Sequence, residues 1–319
     1  MSEAMLELAR QAARGFPDVT GAPEPHMIRE NAVYRVETSF GPHALRLHRP
    51  GYHSDAALRS ELAWMGMLSG RGLQVPRPLR TRDGDFLLLG TRRASLLSWL
   101  AGAPLGKGTE PLAQGGPARR RQIFHKIGRS LAQLHCYSDE WQIPADFTRP
   151  AWDRDGLVGE TPFWGRFWDA PLLSDEDRAL FLDVRDRARG ILDSTNADIG
   201  IIHADLVREN ILIDGDEVCF IDFDDSGYGY RGFDIATCLR SNHAEPDYSE
   251  LKAAFLAGYA EIRPLPDPGL LPLMMALRAL TYIGWTADRI DEPGMAQHVP
   301  RYLKLAKALI QEWRAAEAA

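Results

Sequence analysis

Apolar and polar residues alternate along much of residues 27–97, and a period of two predicts strands. Residues 32–37 and 43–47 flank Ser39-Phe40-Gly41-Pro42, a hairpin signature. Ser54 and Asp55 then stand where a helix is capped, and Leu58, Leu62, Met65 and Leu68 recur at helical spacing until Gly70 and Gly72 end it. Residues 76–81 and 86–89 read as strands joined by the turn Arg82-Asp83-Gly84-Asp85, and residues 94–97 as a last short strand. Residues 99–117, rich in Gly and Pro, read as a connection. Beyond them the period becomes helical, first at Ile123, Ile127, Leu131 and Leu134, then over 175–192, 248–262, 270–289 and 300–318. The pattern predicts an α+β chain: a β-rich unit over 1–97, a small antiparallel sheet with one packed helix, then a larger α-rich unit over 98–319.

Composition narrows the function. At 319 residues the chain suits two lobes. Hydrophobic residues make up 45% and charged residues 25%, an ordinary globular balance. The net charge of −7 argues against a nucleic-acid surface, and Arg119-Arg120-Arg121 reads as a solvated helix face. Cys136, Cys219 and Cys238 are odd in number and lack C-x-x-C spacing, which points to a reducing compartment without disulfides or zinc. Residues 1–16 mix Glu3, Glu7, Arg10 and Arg14 with apolar positions, an amphipathic helix rather than a signal peptide. The apolar run 269–280 is broken by Pro272 and ends around Arg278, too short to span a bilayer. These features predict a cytoplasmic protein with neither nucleic acid nor membrane as partner.

The chemistry concentrates in residues 201–235. His203, Asp205, Asn210 and Asp222 are spaced H-x-D-x-x-x-x-N, then a hairpin, then I-D-F. The apolar run 199–202 is expected to bury and stop before His203, leaving Asp205 in a loop where a carboxylate can meet a hydroxyl. Residues 211–213 and 218–221 form strands around the turn Asp214-Gly215-Asp216-Glu217, so the open end of that hairpin carries Asn210 and Asp222. One carboxylate as base, with an amide and a second carboxylate for Mg²⁺, is the equipment of phosphoryl transfer from ATP.

With these motifs, residues 28–280 resemble the aminoglycoside phosphotransferase, homoserine kinase and choline kinase-like family, whose two-lobed fold is that of protein kinases. The resemblance implies that Asp205 is the catalytic base and that Asn210 and Asp222 bind Mg²⁺. It further implies that His203 braces the loop and that Asp234, in Gly232-Phe233-Asp234-Ile235-Ala236, steadies it, a role compatible with a helix N-cap. Two departures from protein kinases favour a small-molecule substrate. The loop reads His-Ala-Asp without an Arg, and Asp222-Phe223 is followed by Asp224 with no A-P-E segment after it.

On the nucleotide side, residues 29–34, including Asn31, resemble the family's Gly-poor phosphate loop. The P-loop-like run 102–109 has the wrong spacing and follows no βα start. His43-Ala44-Leu45-Arg46 occupies the place of the kinase V-A-I-K strand, with Arg46 as the phosphate clamp and Glu61 as its partner, while Arg35 and Arg49 are rival cations. Residues 96–100 resemble the hinge, so the backbone of Ser98 and Leu100 is expected to pair with adenine.

The acceptor is less legible. Asp224 and Asp225, with Glu245 and Asp247, would favour an amine-bearing alcohol, although an acidic surface explains the last two equally well. Trp152, Phe163, Trp164, Phe167 and Trp168 can wall a pocket or simply fill a core; Tyr282, Trp285 and Asp288, on one helix face, carry the same ambiguity. The expected activity is an ATP- and Mg²⁺-dependent kinase for an amino alcohol such as homoserine, a choline- or ethanolamine-like compound or an aminoglycoside. The alternative is a protein Ser/Thr kinase of the bacterial stress-response type. A pseudokinase fits poorly, since Asp205 and Asp222 are both present.

Overall fold

The computed structural model describes residues 3–28, 30–108, 110–113 and 115–318. They fall into two compact units, each discontinuous in sequence: Met1–Ala103, Glu140–Arg149 and Ile211–Asp224 in the first, Pro104–Asp139, Pro150–Asn210 and Asp225–Ala319 in the second. The sequence pattern divides the chain once, near residue 97. It does not reveal that the hairpin after Asn210 belongs to the N-terminal unit.

In the first unit, α1 (Glu3–Ala13) precedes β1 (Glu24–Ile28), β2 (Ala32–Thr38), β3 (Gly41–Leu47), α2 (Asp55–Gly70), β4 (Pro78–Leu79) and β5 (Ala94–Ser98). The sheet order is β1-β2-β3-β5-β4, antiparallel throughout. In β2 the even positions Ala32, Tyr34, Val36 and Thr38 are buried, which is the period-two pattern made physical. The β2–β3 turn is tight because Thr38 pairs with Gly41, and Gly41 takes φ +96°, a conformation suited to glycine. Ser54 caps α2 by accepting the Ala57 N–H. Besides α2, the N-terminal helix packs here: Ala9, Ala12 and Ala13 close over Tyr34, Leu45, Leu47 and Leu96. Met1 and Ser2 of that expected helix lie outside the described residues.

The strand expected over 86–89 is absent except for one bridge, Leu88 to Ala94. Asp85 is the reason, since its carboxylate takes the N–H groups of Phe86 (2.7 Å) and Leu87 (3.3 Å), donors a ladder would need. The expected strand over 76–81 shrinks to β4 because Thr81 already turns back, its N–H bonding the Asp85 carbonyl at 2.7 Å.

The two-residue β6 (Ala103–Pro104) stands at the boundary between the units. The second unit contains α3 (Pro117–Asp139), β7 (Ala151–Trp152), α4 (Arg154–Val158), α5 (Asp175–Ser194) and β8 (Ile199–Ile202). The hairpin β9 (Ile211–Asp214) and β10 (Glu217–Phe220) returns to the first unit. The second unit then resumes with β11 (Gly227–Tyr230), α6 (Arg231–Arg240), α7 (Tyr248–Ala260), α8 (Leu271–Ala287) and α9 (Val299–Glu317). β11 lies between β8, antiparallel, and β7, parallel. Only Ile201 and Ile202 of the run 199–202 are buried; Ile199 is exposed.

Pro272 does not break the apolar run as the sequence suggests. It occupies the first turn of α8, where a missing N–H costs nothing, and the helix continues past Arg278 to Ala287. Residues 268–287 are long and apolar enough by composition to cross a bilayer, yet most of this stretch is buried inside the unit.

The α3–α7 crossing is set by two glycines. A Cβ on Gly128 would stand 2.0 Å from the Phe255 carbonyl oxygen, and one on Gly258 would stand 2.0 Å from that of His125. Backbone lies against backbone here, so neither neighbour can rotate away. Gly258→Ala is expected to destabilise the protein by about 1–3 kcal/mol or more, read as a lower urea midpoint. An unchanged midpoint would mean that the helices can separate freely.

Candidate active site

After β8 the chain turns at Ala204, whose φ of +66° is uncommon for a residue with a Cβ. A single carboxylate holds that turn. Asp234 accepts the His203 N–H at 2.8 Å and the Ala204 N–H at 2.7 Å, one on each oxygen. His135 Nε2 lies 3.2 Å from the same group, and its Nδ1 meets the Tyr259 hydroxyl at 2.8 Å. Asp234 sits inside α6, whose N-cap is Tyr230, so it is not the cap its position suggests; it reaches back to the loop instead. Burial pushes the Asp234 carboxyl up, but the His135 hydrogen bond and its neighbours outweigh that and hold it below the ordinary range. Burial keeps His135 below the usual imidazole value and hence neutral, so Nε2–H donates to Asp234 and Nδ1 accepts from Tyr259. His203 braces the turn from within, its Nδ1 accepting the Asp205 N–H at 3.3 Å.

Asp205, half-buried, is anchored on both oxygens. Arg278 Nη2 donates to Oδ1 at 2.6 Å and Asn210 Nδ2 to Oδ2 at 3.1 Å. Asn210 Nδ2 also donates to the Asp205 carbonyl at 2.8 Å. With that nitrogen committed, the amide oxygen is the atom Asn210 can turn to a cation. Arg278 is fully buried, 4.6 Å from the ring centroids of both Trp164 and Tyr282. The motif does not reveal it. Its only trace in the sequence is one charge inside an otherwise apolar helix.

The other proposed site residues belong to the first unit. Ile211 pairs with Phe220 at the open end of the β9–β10 hairpin, and Asp222 follows two residues on, exposed and with φ +64°. Next to it Phe223 is buried edge-on against Trp64, with ring centroids 5.3 Å apart. Arg46 and Glu61 form a buried ion pair, as the sequence pattern proposes. Burial pushes Arg46 down, but Glu61, Asp224 and Asp222 outweigh it and leave the guanidinium above its ordinary value. Arg149, undetected in the sequence, stands 3.5 Å from the other Glu61 oxygen and donates to the Phe223 (3.2 Å) and Asp224 (2.5 Å) carbonyls. Of the rival cations, Arg35 pairs with exposed Glu37, while Arg49 pairs with Asp224 at 3.2 Å and accounts for that carboxylate.

Asn31 Oδ1 accepts the Arg49 N–H at 2.9 Å, tying the expected phosphate loop to the end of β3; Arg29 of that loop lies outside the described residues, as does Thr109 of the P-loop-like run. The Ser98 and Trp99 N–H groups are used within the unit, on the Arg77 and Pro42 carbonyls, so Leu100 is the first hinge residue beyond them. Among the described residues no group of three or more His, Cys, Asp or Glu side chains could hold a metal ion. The hard oxygen donors of Asn210 and Asp222 suit a cation that takes few protein ligands, as Mg²⁺ does.

Asp225 receives the Trp164 Nε1–H at 3.4 Å. Glu245 and Asp247 are neither surface charges nor open to a ligand: Glu245 pairs with Arg208 at 2.6 Å and Asp247 with Arg120 at 2.8 Å. Trp152, Trp164, Phe167 and Trp168 are buried; Trp152 stacks on Phe233 at 5.3 Å and meets the half-buried Phe163 edge-on at 5.0 Å. They are chiefly core. Tyr282 and Trp285 are half-buried, and Asp288 is exposed.

Burial, aided at His48 by Arg46 and at His53 by Arg149, depresses both histidines as it does His135. A histidine depressed in the folded state contributes stability above its unfolded value, lost as pH falls below it. Asp234 follows at lower pH, its contribution being lost below the ordinary carboxylate range. The urea midpoint is therefore expected to drop between about pH 6.5 and about pH 5, ahead of carboxylate titration. A midpoint constant across that window would contradict three buried neutral imidazoles.

The phosphotransferase enzyme family known as APH matches residues 28–269. The chain is 32% identical over 271 residues to a homoserine kinase of Rhizobium johnstonii, covering 79% of this chain and 75% of that one. It is 30% identical over 274 residues to a homoserine kinase of Mesorhizobium japonicum, covering 80% and 76%. Among solved structures, a microcompartment-associated aminopropanol kinase superposes with a TM-score of 0.82 at 28% identity, covering 97% of this chain and 98% of that one. The α+β architecture, with its antiparallel sheet and helix-rich second unit, is that of these protein kinase-like enzymes. The chain belongs to the APH phosphotransferase enzyme family, and it is a kinase.

Proposed function

We propose that the protein transfers the γ-phosphoryl group of ATP to a hydroxyl of a small amino alcohol, in the presence of Mg²⁺. The observation that carries this reading is Asp205, anchored on both oxygens at a turn that Asp234 holds in place. A carboxylate fixed in this way can orient an acceptor hydroxyl and take its proton. The acceptor oxygen bonds to the γ-phosphorus as the bond to the β-γ bridging oxygen breaks, the electron pair leaves with ADP, and the hydroxyl proton passes to Asp205. Asn210 and Asp222 would hold the ion, which when bound offsets negative charge on the phosphate oxygens. Arg46, kept cationic by Glu61, would meet the phosphates, and the backbone at Leu100 the adenine.

Homoserine and aminopropanol, in the names of the relatives, are both small amino alcohols, which favours that acceptor class over a protein side chain. Free Cys136, Cys219 and Cys238 agree with a reducing cytoplasm, where ATP is available.

The test is incubation with γ-labelled ATP and a panel of homoserine, aminopropanol, choline, an aminoglycoside and a generic protein. Label is expected on an amino alcohol; label on protein alone would overturn the reading. Asp205→Ala is expected to lower turnover by about 10²–10⁴ with the fold retained by circular dichroism, and near-normal turnover would remove Asp205 from its role. Chelation of divalent ions is expected to abolish transfer, and undiminished transfer would contradict the roles of Asn210 and Asp222.

A further inference from the structure

Among the described residues, buried arginines come with carboxylates. Arg46 and Arg149 have Glu61, Arg185 has Glu160, Arg208 has Glu245, Arg231 has Asp139 and Asp198, and Arg278 has Asp205. Arg240, at the last turn of α6, is the exception. It is 8% exposed, and among the described residues no carboxylate lies within ion-pair distance and no acceptor meets its Nε. What it has instead is aromatic: its Cζ lies 3.9 Å from the Tyr282 ring centroid and 5.8 Å from that of Tyr302.

Two structural explanations account for part of this. A cation is favoured at a helix C-terminus, and aromatic faces attract guanidinium groups. Neither replaces the hydrogen bonds that water gives a guanidinium, and desolvating an ion is far costlier than a ring contact can offset. Its neighbours make the deficit larger. Burial pushes Arg240 down to about 10, and the like charges of Arg278 and Arg301 act in the same direction. The group remains cationic at neutral pH, so the position calls for an anion.

The surroundings say which anion. Tyr282, on which Arg240 lies, carries Arg278 against the same ring at 4.6 Å, and Arg278 Nη2 reaches the Tyr282 hydroxyl at 3.4 Å and Asp205 Oδ1 at 2.6 Å. Arg240 is thus one aromatic ring and one arginine away from the carboxylate expected to meet the acceptor hydroxyl. The opposite charge is close too, since Trp164 touches Arg278 with its ring and Asp225 with its indole N–H. We propose that Arg240 is a specificity residue that binds a carboxylate carried by the acceptor, so that the preferred substrate is an amino acid bearing a hydroxyl, with Asp225 facing its ammonium group. Polycationic sugars and quaternary ammonium alcohols lack the carboxylate and would meet a cation where they need an anion. This inference deepens the proposed function and rests on the assignment of Asp205.

The test compares L-homoserine with 3-aminopropan-1-ol, which lacks only the carboxylate, in the wild type and in Arg240→Met and Arg240→Lys. The wild type is expected to favour homoserine in kcat/KM. Arg240→Met should cut that preference by about 10–100-fold, through KM rather than kcat, as expected for loss of a charge-assisted pair. Arg240→Lys should recover part of it. Equal losses on both substrates, or a wild type with no preference, would overturn the proposal. Calorimetry with L-2-aminobutyrate, which has the carboxylate but no hydroxyl to phosphorylate, separates this outcome from failure of the kinase reading. Binding by the wild type that Arg240→Met abolishes supports the subsite even without turnover; wild-type binding that survives the substitution, or no binding at all, refutes it.

Discussion

The Asp234 carboxylate is the constraint on which the turn that carries Asp205 depends. Ala204 holds a left-handed backbone that a residue with a Cβ resists, and the next side chain is Asp205. Two backbone N–H groups directed at one buried carboxylate over-determine that turn, so the strain persists where a freer loop would relax. His135 and Tyr259 extend the support into α3 and α7, the helices whose backbones touch at Gly128 and Gly258. The position of the Asp205 carboxylate is thus referred through Asp234 to the packing of a helix pair.

Both units bury charge and do it in networks. Glu61 serves Arg46 and Arg149 together, and Asp198 and Asp139 both serve Arg231. Such pairs are a poor source of net stability, because desolvation takes back most of the Coulomb gain. Their effect is to fix position: a guanidinium with two partners has little freedom to rotate. In the first unit one carboxylate, Glu61, holds both Arg46 and Arg149, and Arg149 holds the carbonyls that follow Asp222.

Much of this was legible in the sequence. Period-two burial in β2, the Ser54 cap and the Asp-Gly hairpin follow from local spacing, which a linear reading sees well, whereas the Arg46–Glu61 pair follows from the likeness to a kinase strand. Arg149 and Arg278 are not legible, because their partners, Glu61 and Asp205, are distant in sequence and no spacing rule links them. Asp85 ended a predicted strand by a side-chain contact that propensity ignores. Asp234 is expected to steady the loop from the family resemblance, and its spacing alone is equally that of a helix cap, because caps and long-range clamps use the same carboxylate. Pro272 makes the converse point: a helix breaker is harmless once it stands in the first turn.

The interleaving of the two units has a consequence for synthesis. The first unit recruits residues 140–149 and 211–224, so its five-stranded sheet leaves the ribosome well before the hairpin that completes the unit. Phe220 bonds the Gln74 carbonyl and Phe223 packs against Trp64, contacts that span about half of the chain. Domains of a nascent chain ordinarily fold in the order in which they emerge. Here the first unit cannot finish until residues 104–139 and 150–210 of the second have been made. The apolar surface around Trp64 must therefore wait, uncovered, for more than a hundred residues of translation, and that interval is where a chaperone would matter most.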